Sequence, residues 1–165
     1  MEILRHWCAE PFELRPCCYR QEVGYKPKGL WFDINKDWKR WCEAESFGLE
    51  RFTHCYRIRI TDDSRVLRLD QPEKLVAFTV RYKAALYPGQ SLRAEYCGID
   101  WPRVAEEFAG IVITPYQWSC RMSLMWYYGF DCASGCVWEP DILQLKVERP
   151  HSPGSNSQTP VGGKT

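Results

Sequence analysis

The chain has 165 residues, of which 45% are hydrophobic and 15% aromatic, and its formal net charge is +1. This length fits one domain with an adequate core, and the near-neutral charge excludes a global electrostatic attraction to nucleic acid or to an anionic membrane. There is no run of 18 apolar residues and no secretory signal in the first residues, so we expect a cytoplasmic protein without a membrane span.

The chain contains nine cysteines, an odd number. Without a signal sequence, reduced thiols are expected rather than a disulfide framework. Cys132 and Cys136 are four residues apart and Cys17 is adjacent to Cys18, but neither pair has the spacing of a zinc knuckle. We therefore predict no metal site.

The first third of the chain predicts two strands and a helix. "MEILRHW" has the pattern of a first strand, and a second follows at residues 29–33. Asp33 or Asn35 is expected to cap the helix after it, and Gly48 to end that helix. Trp38 and Trp41 share one face of this helix, and we predict that both belong to the core.

The rest of the chain predicts several short strands and two more helices. Pro72 fits the first turn of one helix, whereas Asp100 is expected to cap another, which Gly110 would end. The predicted strands are "HCYRIRI" (54–60), "RVLRLD" (65–70), a buried "IVIT" (111–114) and two segments of "GCVWEPDILQLKVE" (135–148) separated at Pro140.

These elements do not alternate as regular βαβ units, which favours an α+β fold with split antiparallel sheets and a few flanking helices. The chain contains no P-loop, GxGxxG or GxSxG motif. Residues 150–165 are dominated by Pro, Gly, Ser and Thr, and we expect a disordered C-terminal tail there. The predicted domain spans residues 1–149.

Three stretches, in chain order, resemble motifs of the ADP-ribosyltransferase fold, in its branch of diphtheria toxin and the poly(ADP-ribose) polymerases. The first is a strand carrying a histidine, here "ILRHW". The second motif reads approximately G-K-G-I-Y-F-A-D before a helix that carries Tyr-Cys, and "KGLWFDINKDWKRWC" is similar to it. The third is a strand of the form E-Y-I-V-Y-D-P. In the stretch "SGCVWEP", Val137, Trp138, Glu139 and Pro140 match the second half of that motif. The resemblance implies an ADP-ribosyltransferase-like domain.

The resemblance also implies NAD as co-substrate. By position, His6 would hydrogen-bond the adenosine ribose, and the backbone of Trp7 would hold the nicotinamide amide. Lys28 and Gly29 belong to the second motif, and Trp31 would stack on nicotinamide as the family's tyrosine does. The rings of His6 and Trp31 are then expected to face each other across a dinucleotide pocket.

The third motif departs from the family at its first position. The family has a catalytic glutamate there, and this chain has Ser134. Asp131, on the same loop, is the candidate substitute, so the expected catalytic centre is Asp131 with Ser134. The acceptor would be a macromolecule, either protein or nucleic acid. Two alternatives stay open: a non-catalytic domain that binds NAD, ADP-ribose or a nucleic-acid end, and a structural partner-binding domain whose tryptophans are core and interface.

Overall fold

A computed structural model of the chain describes residues 2–148, so the predicted tail lies outside the described residues. The strands are β1 (Leu4–Cys8), β2 (Val23–Gly24), β3 (Leu30–Ile34), β4 (His54–Ile60), β5 (Val66–Leu69), β6 (Lys83–Ala84), β7 (Gly98–Asp100), β8 (Gly110–Ile113), β9 (Ser134–Val137) and β10 (Leu143–Glu148). The helices are α1 (Asp37–Glu45), α2 (Pro72–Tyr82), α3 (Trp101–Ala105) and α4 (Met125–Tyr128), with 3₁₀ turns at Leu49–Phe52, Asp63–Arg65, Trp118–Cys120 and Pro140–Ile142. Between residues 2 and 148, no helix has the length and apolar character needed to cross a membrane.

The strands form an α+β fold with one large and one small sheet. Seven strands make the large sheet in the order β10-β4-β1-β3-β9-β8-β5, and β2-β7-β6 make the small one. The small sheet is antiparallel, but the large sheet is mixed because β5 and β8 pair in parallel. The expectation of purely antiparallel sheets is therefore wrong at this edge. A parallel pair needs a long crossover, and α2, β6, β7 and α3 supply it.

The signals at several element ends act as predicted. Pro72 is the first residue of α2, where its missing N–H costs no helical hydrogen bond. The side chain of Asp100 accepts a hydrogen bond from the backbone N–H of Arg103 at 3.3 Å and caps α3. Pro140 separates β9 from β10, as the break in the pattern indicates.

Other end signals are replaced by residues in left-handed conformations. Asn35 does not cap α1, because its side chain accepts a hydrogen bond from the backbone N–H of Ile3, just before β1, at 3.0 Å. Lys36 precedes α1 with a φ of 67° and has no side-chain cap. The backbone N–H of Lys39, in the first turn of α1, is close enough to the Asp33 carboxylate to favour its charged form. Ser46, with a φ of 53°, ends α1 two residues before Gly48. Likewise, α3 ends at Ala105 and Gly110 begins β8, so its predicted role as a helix stop is wrong.

The two faces of the large sheet carry separate hydrophobic clusters. In β8, Ile111 and Ile113 belong to one cluster and Val112 to the other, as the alternation of side chains requires. The first cluster packs under α2, α3 and α4 and contains Trp101, Trp126 and Trp138. Helix α1 lies on the same face of the sheet as this cluster, so the helices cover one side of the sheet.

The large sheet is narrowly joined between β1 and β3. Only two residue pairs form this ladder, Leu4 with Ile34 and Arg5 with Asp33, whereas β1 forms five pairs with β4 on its other side. Beyond Arg5 the two strands separate. The sheet is therefore split along part of its length, between the halves β10-β4-β1 and β3-β9-β8-β5.

The start of β3 packs closely on the end of β9, and only glycine fits there. A Cβ added at Gly29 would lie 2.5 Å from the carbonyl oxygen of Val137 and 2.7 Å from Sγ of Cys136. Gly29→Ala is expected to lower the free energy of unfolding by about 1–3 kcal/mol through overpacking. Gly24→Ala is the control, since its Cβ would have no neighbour closer than 3.8 Å. Urea denaturation measures both, and equal stabilities of the two variants would contradict the packing argument.

Candidate functional site

A cavity of about 500 Å³ lies on the helical face of the sheet, where β1 and β3 separate. This volume is within the range of small-molecule sites. Its walls are mostly aromatic, with cations and two carboxylates among them. The residues that line it are Arg5, His6, Trp7, Lys26, Trp31, Phe32, Asp33, Trp38, Trp41, Phe47, Arg51, Gly129, Phe130, Asp131, Cys132 and Ser134.

The tryptophans of α1 line the cavity instead of filling the core. Trp38 and Trp41 are both half-buried, and Cys42 is the one residue of α1 that is buried. Trp38 packs on Phe52 and Trp41 on Phe47, both from the segment after the helix. The prediction that the two tryptophans are core is therefore wrong, because the apolar stripe of α1 faces a space that the protein does not itself fill.

Where β1 and β3 separate, the side chain of His6 bonds to a backbone carbonyl of β3 that would otherwise pair with the backbone of β1. Its Nδ1 donates to the carbonyl oxygen of Trp31 at 2.7 Å. Because a carbonyl only accepts, Nδ1 carries the proton and Nε2 is left as an acceptor. Burial lowers the pKa of His6, so the ring is neutral at pH 7.

The rings of His6 and Trp31 do not face each other as expected. Alternation along β1 turns His6 toward the opposite face of the sheet, where its ring lies 5.0 Å from that of Phe12. Trp31 points to the helical face and packs on Phe130 at 5.3 Å. Both residues nevertheless line the cavity, since His6 lies in the gap between the two strands.

The backbone of Trp7 faces the same gap. Just before β1, the N–H and C=O of Ile3 both point to the β3 side, where they bond with Asn35. Alternate residues of an antiparallel strand point their backbone groups the same way, so those of Trp7 also point toward β3. There the ladder has ended, and the carbonyl of Trp31 is bonded to His6 instead. A ligand with an amide group would meet a donor and an acceptor side by side.

The indole of Trp31 offers a surface that attracts a cation. Nζ of Lys26 lies 5.5 Å from the centre of the Trp31 ring and 5.7 Å from that of Phe130. Such contacts are favourable because the face of an aromatic ring carries partial negative charge, which attracts a cation. Lys26 and the side chain of Arg51, which is about half exposed, place positive charge at the rim of the cavity.

Asp33 is a buried carboxylate in the wall of the cavity. It is 2% exposed, and its Oδ2 accepts a hydrogen bond from Nε1 of Trp7 at 2.9 Å across the gap between the strands. Its Oδ1 is buried and has no hydrogen-bond partner within the described chain. Burial raises the pKa of Asp33 from 3.8 to about 6, although the Trp7 N–H, the backbone N–H groups of Lys36 and Lys39 and the charge of Arg5 oppose the rise.

The two predicted catalytic residues lie at the same cavity in different environments. Ser134 begins β9, is buried, and is the direct cross-strand partner of Asp33. Asp131 is partly exposed, and its Oδ1 accepts a hydrogen bond from Arg121 at 3.1 Å. The structure thus brings Ser134 close to a carboxylate. That carboxylate belongs to Asp33 on the neighbouring strand, whereas the sequence had predicted Asp131.

Two predicted NAD contacts lie outside the lining of this cavity. The side chain of Lys28 forms an ion pair with Glu22 at 2.7 Å, and its backbone N–H and C=O are both bonded to the side chain of Gln21. Gly29 is packed against β9, as described above. Both residues position the start of β3, and neither reaches the cavity wall.

All nine cysteines are free thiols. Cys132 lines the cavity, where burial raises the pKa of its thiol to about 12, so the thiol is protonated at neutral pH. Within residues 2–148, no three His, Cys, Asp or Glu side chains come together as potential metal ligands.

Sequence reasoning missed Asp33, Lys26 and Arg51 as site residues. The signal for Asp33 was present, since a carboxylate between Phe32 and Ile34 in an apolar strand needs a reason to be there.

The assembled site combines a flat aromatic surface, an unpaired backbone amide, rim cations and a buried carboxylate, and it suits a cationic aromatic ligand that carries phosphate. Comparisons of the chain with protein-family models, with curated proteins and with solved structures found no match.

Replacing Asp33 by Asn is expected to remove a pH-dependent destabilisation. Because the pKa of Asp33 is raised to about 6, the unfolded chain releases this proton at lower pH than the folded protein. As pH rises from about 4 to about 6, the free energy of unfolding of the native protein should fall relative to that of Asp33→Asn, by on the order of 2–3 kcal/mol. Urea denaturation of both proteins across this range measures the difference, and a constant difference would contradict the burial of the charged form.

Proposed function

We propose that the protein is an NAD-dependent ADP-ribosyltransferase, which cleaves the bond between nicotinamide and ribose and transfers ADP-ribose to a macromolecule. The observation that carries the proposal is the meeting of the three motif strands. β1, β3 and β9 are neighbours in the large sheet, in that order, and residues of all three line one aromatic cavity. The motifs were recognised in separate parts of the sequence, and their convergence on one cavity supports the resemblance that they suggested.

The nicotinamide ring is proposed to stack on Trp31. The oxidised nicotinamide ring is flat and positively charged, and Lys26 already occupies a cation position over this indole. The ring would displace the ammonium group, which is then free to approach the pyrophosphate. The carboxamide would bond to the backbone N–H and C=O of Trp7 at the opening of the sheet, and the neutral Nε2 of His6 would accept a hydrogen bond from a ribose hydroxyl.

The remaining walls suit the ADP half of NAD. Trp38, Trp41 and Phe47 offer flat surfaces for adenine, since stacking on aromatic side chains needs only an accessible face. Arg51, on the same side of the cavity, would contribute charge toward the phosphates. An acceptor, either a protein side chain or a nucleic acid, would approach from the open side.

A second candidate is a domain that binds NAD or ADP-ribose without cleaving it. The observation that favours it is the serine at the start of β9, where the related motif carries a glutamate, together with the ion pair between Asp131 and Arg121. Cleavage of the glycosidic bond creates positive charge on the ribose, and a nearby carboxylate is needed to stabilise it. Turnover of NAD separates the two candidates.

The decisive experiment measures release of nicotinamide from NAD by the purified protein, by chromatography, together with calorimetric binding of a carbocyclic NAD analogue that cannot be cleaved. We expect both release and binding from the native protein. Trp31→Ala should weaken binding by about 10–30-fold, the loss of one desolvated cation–π contact.

The control is Trp118→Ala, which removes an indole that is 69% exposed and outside the cavity. It should leave both measurements unchanged. Binding without release would favour the non-catalytic candidate. The absence of both in a folded native protein would leave the structural, partner-binding alternative.

A further inference from the structure

Our inference rests on the proposed function and concerns the group that replaces the missing glutamate. A transferase of this kind needs a carboxylate beside the ribose carbon from which nicotinamide leaves. Two carboxylates line the cavity, those of Asp33 and Asp131. The sequence favoured Asp131, because it lies on the loop before β9. The geometry favours Asp33.

The register of the sheet places Asp33 beside the vacant motif position. Asp33 and Ser134 are direct cross-strand partners in the antiparallel pair of β3 and β9. Side chains opposite each other in such a pair point to the same face, with Cβ atoms about 4.5–5.5 Å apart. A carboxylate on β3 at this register therefore occupies nearly the same region as one on the first residue of β9.

Asp33 has an oxygen available for a ligand. Trp7 binds Oδ2 and fixes the orientation of the carboxylate, while Oδ1 is buried without a partner among the described residues. Leaving a buried acceptor unpaired is unfavourable, and a hydroxyl or N–H group of a ligand would satisfy it. Asp131, in contrast, is ion-paired with Arg121 and partly exposed to solvent, which weakens its effect on a developing charge.

We propose that Asp33 is the catalytic carboxylate of this cavity, held by the indole N–H of Trp7, and that Ser134 leaves the room that Asp33 needs. In the reaction, the bond between C1′ of the ribose and the nicotinamide nitrogen breaks, and its electron pair neutralises the pyridinium ring. A lone pair of the acceptor forms the new bond to C1′. Asp33 stabilises the positive charge of the ribose and takes the proton that the acceptor loses, then passes it to solvent.

The position of Asp33 suits both parts of this role. The carboxylate lies within the wall of an aromatic cavity, where electrostatic stabilisation is stronger than in water. Its raised pKa, about 6, is near that of an efficient general base at neutral pH. The neighbouring Arg5 is engaged by Glu148 in a two-pronged ion pair, at 2.8 and 3.0 Å, and so does not neutralise Asp33 directly.

The test compares Asp33→Asn with Asp131→Asn in the assay of nicotinamide release, with calorimetric binding of the carbocyclic NAD analogue as the second readout. Asp33→Asn keeps the size of the side chain and an acceptor for Trp7, and it should lower kcat by about 10²–10³-fold with analogue affinity changed less than about threefold. Asp131→Asn should change kcat by less than about fivefold. The reverse ranking of the two variants would overturn the proposal.

A double variant tests the register argument directly. Adding Ser134→Glu to Asp33→Asn returns a carboxylate to the same region from the neighbouring strand, and it should recover at least tenfold of the lost kcat. No recovery in a folded double variant would count against a shared position. If Asp33→Asn lacks the near-ultraviolet circular dichroism of the native protein, Asp131→Asn alone decides: an unchanged rate supports Asp33, and a 100-fold loss overturns it.

The outcome also separates this inference from the proposed function. If the native protein binds the analogue and releases no nicotinamide, the proposed function fails and this inference fails with it. If the native protein releases nicotinamide and Asp33→Asn does so at the native rate, the transferase stands and the assignment of Asp33 is wrong.

Discussion

The two residue pairs that join β1 to β3 are the constraint on which the site depends. A ladder that continued would pair Trp7 with Trp31 and close the sheet. Instead, the imidazole of His6 takes the carbonyl of Trp31, and the indole N–H of Trp7 reaches across to Asp33. These two side-chain bonds hold the halves of the sheet at a fixed separation and leave the backbone of Trp7 open to a ligand. The cavity is thus a consequence of how one ladder ends.

The aromatic residues divide into two groups with different tasks. Trp101, Trp126 and Trp138 are buried together on the helical face and build the core. The tryptophans of α1 and the indole of Trp31 are only partly buried and surround the cavity instead. Exposed aromatic surface of this kind costs solvation free energy unless something covers it. A flat ligand that fills the cavity, such as the one proposed, would recover that free energy.

The sequence was informative for most elements that a local pattern determines, although the local signals at the ends of α1 and at Gly110 failed. Alternation located β4 and β10, and the capping and proline signals located α2 and α3. It failed where the partner is remote in the chain. The stripe of Trp38 and Trp41 looks the same whether it faces core or cavity, and the parallel pairing of β5 with β8 leaves no local mark. The same holds for Asp33, because the residues that form its environment are far from it in sequence. Trp7 lies 26 residues before it, and Ser134 lies much later in the chain, on the neighbouring strand β9.

A packing role alone does not account for an aspartate at position 33. The bond from Trp7 needs one acceptor oxygen, which an asparagine would supply without a buried charge. An apolar side chain would also avoid the unpaired Oδ1, which costs on the order of 1–3 kcal/mol. The charge is buried in the wall of the cavity, where the indole N–H of Trp7, the backbone N–H groups before and within α1 and the charge of Arg5 offset the cost of burial only in part. Such an arrangement destabilises the empty protein and becomes favourable when positive charge develops beside it, which is the charge that the proposed reaction would create.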